Sequence, residues 1–164
     1  MTLSEWVAQH PDAVRAQPPR ADAVAALWNV VARELRDAES VWSDDGRLEH
    51  AFAACLGVAA VALAARGYRL RHGALAHHYL LVSSLEHTLG LSADEVEALD
   101  AFRRKRGRAR YERVGLVTRT EADSALLTAR ALRARCADWM AETCPDLATA
   151  LDDGPAGGDG APAR

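Results

Sequence analysis

The segment DAFRRKRGRARYERVGL, Asp100 to Leu116, places seven basic side chains and one acid within the eleven residues from Arg103 to Arg113. Guanidinium and ammonium groups at that density suit phosphate, either as a solvent-facing steering patch or as a cluster that steadies developing negative charge. At about 100° per residue, Val96, Leu99 and Phe102 mark the inward side of a helix, and Arg106 returns to within about 20° of that line. Arg103 lies close to the same line, whereas Arg104, Lys105 and Arg108 point toward water. With Arg110, these are the candidate nucleic-acid-binding residues. A permanently charged guanidinium turned toward apolar surface needs an anion or hydrogen-bond partners. The options are an internal carboxylate (Glu49, Glu86 or Asp100), a second subunit, or a phosphate. Gly107 predicts that the helix bends or ends there, or that a backbone or ligand approaches closely. Tyr111 is expected to be partly packed, with its hydroxyl at a wet edge.

The elements that must position these groups are helical. Alanine supplies much of the apolar content, Val and Ile are scarce beside Ala, Leu and Arg, and no segment alternates with period two, which predicts an all-α chain. At 164 residues the chain accommodates one domain with a proper core. The formal charge is -3, yet the basic run alone contributes +6 and the remainder -9, so a polyanion would be attracted to one place. Cys55, Cys136 and Cys144 are an odd, widely spaced set that fits reduced, buried thiols in a cytoplasmic protein. The N-terminus has no apolar signal-peptide core, and the longest apolar run, Ala51 to Ala65, is short for a membrane span; no membrane association is expected.

Along the chain, residues 1–19 read as a short helix and an irregular arm ending in a Pro pair. Val24, Leu27, Trp28, Val31 and Leu35 then recur at helical spacing. SDDG (43–46) breaks that helix and caps the next, about Arg47 to Arg66, which is apolar nearly all round, hence central, and ends at Gly67. YRLRHG reads as a connector. A further helix is expected over Ala74 to Leu89, with Leu75, His78, Tyr79, Val82, Leu85 and Leu89 inward. SADE (92–95) is a capping box opening the basic helix, and VTRTEAD holds two overlapping Thr-x-x-acid caps before a last helix, about Glu121 to Met140. The expected architecture is an up-and-down antiparallel four-helix bundle over residues 20–145 with a short extra N-terminal helix. Residues 146–164 form a Gly/Pro/Ala-rich tail expected to be disordered.

The order of these features resembles the HEPN family of small helical bundles. The matching elements are DDGRLEHAFAACLGVAAVALAARGYR as central helix, HH opening the next, LDAFRRKRGRARYE, and a Thr-capped Glu/Ala/Leu-rich last helix. The resemblance implies a bundle, often a homodimer, in which an Arg-x4–6-His motif from each subunit lines a shared cleft and, in active members, cleaves RNA without metal. It also implies a toxin–antitoxin or phage-defence setting, with an antitoxin or a nucleotidyltransferase as possible partner. On that pattern Arg106 takes the motif Arg, Gly107 stands where a polar residue is usual, and Tyr111 stands where active members carry His. Arg106 and Tyr111 are thus the candidate catalytic pair. Imidazole titrates near neutral pH and a phenol, at about pKa 10, does not. The expectation is therefore RNA or nucleotide binding with weak or no ribonuclease activity. The alternative is a non-catalytic dimeric interaction protein that docks a nucleotidyltransferase or other partner through the basic helix. The tyrosine modified in the nucleotidyltransferase-paired branch has no counterpart, because Arg113 occupies its place.

Other histidines have weaker claims. His77 and His78 are adjacent and point to different faces, His78 reads as a packing residue, and His72 and His87 lie in a connector and at a far helix end. Cysteines and histidines show no metal-site spacing, and no P-loop, GxGxxG, nucleophile elbow, aromatic stacking platform or helix-turn-helix is recognisable, so neither metal nor cofactor is expected.

Overall fold

The computed structural model describes residues 1–71, 73, 76–112 and 115–151. The chain is mostly α-helical. In order it forms α1 (Leu3–Ala8), β1 (Val14–Ala16), α2 (Ala21–Ser40), α3 (Asp44–Ala65), β2 (Tyr68–Leu70), α4 (His77–Thr88), α5 (Ala93–Tyr111), α6 (Arg119–Thr143), α7 (Pro145–Ala148) and a 3-10 turn at Thr149–Leu151. Five of these helices run to 12 residues or more, one for each long helical stretch read from the sequence and one more than a four-helix bundle holds.

α3 is the hub, packing against α2, α4, α5 and α6. Its apolar residues lie all round the helix, and Leu48, Phe52, Val58, Val61 and Leu63 are buried on different sides of it. By length and composition this 22-residue helix, with mean hydropathy 1.8, meets the requirement for crossing a membrane, although most of it is buried by its neighbours. α2 comes close to it at Gly57, where an added Cβ would sit 2.7 Å from Val31 Cγ2. Trp28, the largest fully buried side chain, fills the α2 side and lies under the Arg133 guanidinium of α6, 4.6 Å from the ring centroid.

The caps follow the sequence. Ser43 accepts from the Gly46 N–H, and Ser92/Glu95 and Thr118/Glu121 close reciprocal capping boxes. The overlapping Thr120/Asp123 pair does not cap: Asp123 instead binds Arg47 at 2.6 Å. Gly67 adopts φ +81 just past α3, a left-handed stop that lets its carbonyl accept from the Gln17 N–H at 2.8 Å.

Several expectations need correction. Residues 1–19 are no separate arm: Leu3, Trp6 and Val14 join the single core, and β1 pairs antiparallel with β2, Val14 opposite Leu70 and Ala16 opposite Tyr68. Two three-residue strands carry too little alternation to be seen in sequence. The stripe of α4 is rotated: Leu80, Leu81, Val82, Ser84, Leu85 and Thr88 are buried while Tyr79 is exposed, and Leu75 lies outside the described residues. The tail begins later than residue 146, because 145–151 are helical and Leu151 is buried. Cys55 and Cys136 are buried free thiols, both pushed up to about 12 by burial, which makes them poor nucleophiles.

Candidate nucleic-acid interface

α5 presents its basic residues in two populations. The inward side begins with Leu99 in the core, Val96 and Phe102 packed against it, and Asp100 buried beside them. A buried carboxylate needs partners, and the next turn supplies two: Arg103 Nε reaches Asp100 Oδ1 at 2.5 Å and Arg104 Nη1 binds Oδ2. Arg104 also spans to Glu97 at 2.6 Å, and that hydrogen bond raises its already high pKa.

Arg106 occupies the position the helical wheel assigns it. Only 18 % of its side chain is exposed, and it grips Glu49 of α3 in a bidentate fork, Nε to Oε2 at 2.7 Å and Nη2 to Oε1 at 2.6 Å. Of the partners open to it, an internal carboxylate is the one present. Arg110 Nη1 approaches the same Oε1 at 3.6 Å. Lys105 Nζ pairs with Glu121 at 3.0 Å, and Arg108 Nε with Glu112 at 3.3 Å. Each of the six described bases from Arg103 to Arg110 therefore has a carboxylate, and Arg113 lies outside the described residues.

Beside the Arg106–Glu49 fork lies a concavity of 310 Å³ lined by Asp45, Gly46, Glu49, Arg106, Ala109 and Arg110. Asp45 is committed to the chain, accepting the N–H groups of Gly115 at 2.6 Å and Val117 at 3.1 Å and so tying the α5–α6 connector to the start of α3. Two carboxylates facing two guanidiniums leave little net field for a phosphate inside the concavity.

Tyr111 is not brought to Arg106. It lies five residues on, about 140° around the helix, and its side chain is 83 % exposed, not partly packed. Its ring neighbour is Arg110, whose guanidinium carbon is 5.9 Å from the centroid. Gly107 does not end α5, which continues to Tyr111, and a Cβ there would meet nothing within 4 Å among the described residues. The glycine marks no close approach.

The group that does stand near Arg106 is His78. From the first turn of α4 its ring meets Phe52 edge-on at 6.3 Å, and the ring of neighbouring His77 at 6.0 Å. Burial first, then the positive charge of Arg106, with His77 and Arg103 adding to it, holds its pKa below the ordinary 6.5, against the opposing charge of Glu49. Next to it, Arg103 lies 6.0 Å from the Tyr79 ring centroid. Periodicity identifies His78 as half-inward but carries no signal for its neighbour across the α4–α5 packing. His72 lies outside the described residues.

One cluster offers metal-ligating atoms: those of Glu34 and Asp37 on α2 and His50 on α3 lie within 4.8 Å of one another. Here Glu34 Oε2 sits 2.8 Å from His50 Nδ1. Burial raises the Glu34 pKa, but hydrogen bonds from His50 and Arg33 outweigh it and leave the carboxyl below its usual range. These three come from two helices, so no local spacing reveals them.

Comparisons with family models, with curated proteins and with solved structures give no match to this chain, so the reading of the site rests on its own geometry.

Proposed function

We propose that this chain is a HEPN-like helical module that binds RNA or nucleotide phosphate through the outer face of α5 without efficient cleavage. In this reading α2, α3, α5 and α6 form the four-helix bundle, the module works as a cytoplasmic homodimer, and it belongs to a toxin–antitoxin or defence-type system. The observation that carries it is the contrast in exposure along α5. The Arg108–Glu112 pair is open to water on both sides, Arg110 is 56 % exposed, and Lys105 pairs with the partly exposed Glu121. Exposed pairs contribute roughly 0–1 kcal/mol each, so a phosphate that arrives with its own charge displaces the carboxylate at little cost. Arg106, held by Glu49, and Arg103 and Arg104, both tied to the buried Asp100, act by contrast as structural pins. Tyr111 is turned away from the Arg106 guanidinium and the imidazole near it, His78, comes from α4, so the Arg106–Tyr111 pair is not assembled within one chain, which fits binding without turnover.

Anisotropy of a labelled single-stranded RNA in EDTA, at rising salt, tests this. The native chain binds with a steep salt dependence and leaves the RNA intact, while the threefold variant Lys105→Glu, Arg108→Glu, Arg110→Glu loses binding. Equal binding by both refutes the proposal. A second reading, a non-catalytic interaction protein docking an antitoxin, a nucleotidyltransferase or another partner, draws on the same ion pairs: a helix whose described bases are all matched to carboxylates has little spare charge. It predicts RNA affinity no higher than that of any basic surface.

A further inference from the structure

A second concavity lies toward the other end of α3, where the first half of α2 and the last turns of α3 meet the β1–β2 ladder and the start of α4. It encloses 460 Å³, within the roughly 300–1,000 Å³ typical of small-ligand sites. Its walls are apolar because α2 and α3 face each other there with short side chains, Ala23 and Ala26 against Ala60 and Ala64, flanked by Leu27 and Val30. One rim is braced by the Gln17 N–H to Gly67 carbonyl bond and by the strand pairing of Ala16 with Tyr68. The charged groups at the rim are cations: Arg20, tied to Asp22, and Arg69 on β2, which makes no ion pair or side-chain hydrogen bond among the described residues, with His77 beside them. No carboxylate lines it among the described residues.

We infer that this cavity binds a small amphipathic monoanion, an acyl carboxylate whose tail lies between α2 and α3 and whose head group meets Arg69. Apolar walls favour the tail and a guanidinium fits a carboxylate in a fork, whereas a neutral oil would leave the cation unused and a cationic amphiphile would be repelled. The inference stands apart from the phosphate reading of α5 and shares no residue with it.

Calorimetric titration of sodium decanoate, decanol and decyltrimethylammonium into the full chain, each below its aggregation concentration, provides the test. Decanoate should saturate one site, with the other two at least about tenfold weaker, the contrast expected for a charge-assisted pair. Arg69→Glu, at an exposed position, should weaken decanoate by a similar factor and leave RNA binding unchanged. Ala60→Phe fills the cavity and should abolish binding; should that variant not fold, Val30→Asp at the exposed mouth should weaken it instead. The inference is overturned by any of four results. These are no saturable decanoate site, decanol binding as tightly as decanoate, indifference to Arg69→Glu, or a dimer that decanoate leaves intact and Ala60→Phe dissolves, which would make a second copy the occupant.

Discussion

Two concavities among the described residues border on arginines, and they differ in what those arginines already hold. At the α5 end Arg106 and Arg110 share Glu49, with Asp45 alongside. In the α2–α3 cavity the walls carry no carboxylate among the described residues and Arg69 stands at the rim without an anion. The α5 region is the most charged stretch of the sequence and is internally matched. The α2–α3 region is inconspicuous in sequence and keeps a cation available. Charge density along a chain therefore measures what the fold must neutralise, and only the packing shows what is left for a ligand.

Removing the matching carboxylate puts this contrast under the greatest strain. Glu49→Ala leaves the mostly buried Arg106 guanidinium without its partner and should cost about 2–4 kcal/mol in urea unfolding, with Arg106→Ala in the same chain recovering part of it. Removal of Glu49 at no cost would mean the fork is ornamental. On the α2–α3 side, Gly57→Leu pushes α2 from α3 at the Val31 contact and should cost about 1–3 kcal/mol while weakening decanoate.

Acidification separates the regions further. The folded His78 has a pKa below its ordinary 6.5, so the unfolded chain takes up the proton first as pH falls. Its stabilising share is complete above about pH 6.5 and drains away as pH drops through the folded value. His78→Asn should flatten that slope in a series of melts. Glu95 and Glu121, held low by the capping N–H groups of Ser92 and Thr118 and by basic partners, lose their contribution only in a lower window, as pH falls below the ordinary carboxylate value of 4.5. The smallest effect belongs to the outer face: Arg108→Ala should change stability by no more than about 0.5 kcal/mol.

Much of the fold is legible because it is written locally. Ser43, Ser92 and Thr118 announce helix starts, Gly67 and Gly90 announce stops, and the continuous apolar run of α3 announces a hub. The inward turn of Arg106 is legible for the same reason, since it depends only on helical period. Three carboxylates are open to it in sequence, and choosing Glu49 requires knowing how α5 lies on α3. The β1–β2 ladder, the nearness of His78 to Arg106 and the Glu34–Asp37–His50 cluster are meetings between distant segments, with no periodic trace in any one of them. Tyr111 misleads because a place beside a motif in sequence is not a place beside it in space: five helical residues turn it well away.

In the proposed reading the outer bases of α5, Lys105, Arg108 and Arg110, are exchangeable and the inner ones are not. This division is read from the slope of log RNA affinity against log salt concentration for the native chain, the threefold outer variant and Arg106→Ala. The outer variant should lose a slope of about two, from three contacts at about 0.7 per phosphate on a single strand, while Arg106→Ala, as long as it folds, keeps the native slope. A slope unchanged in the outer variant but reduced by Arg106→Ala would overturn the division.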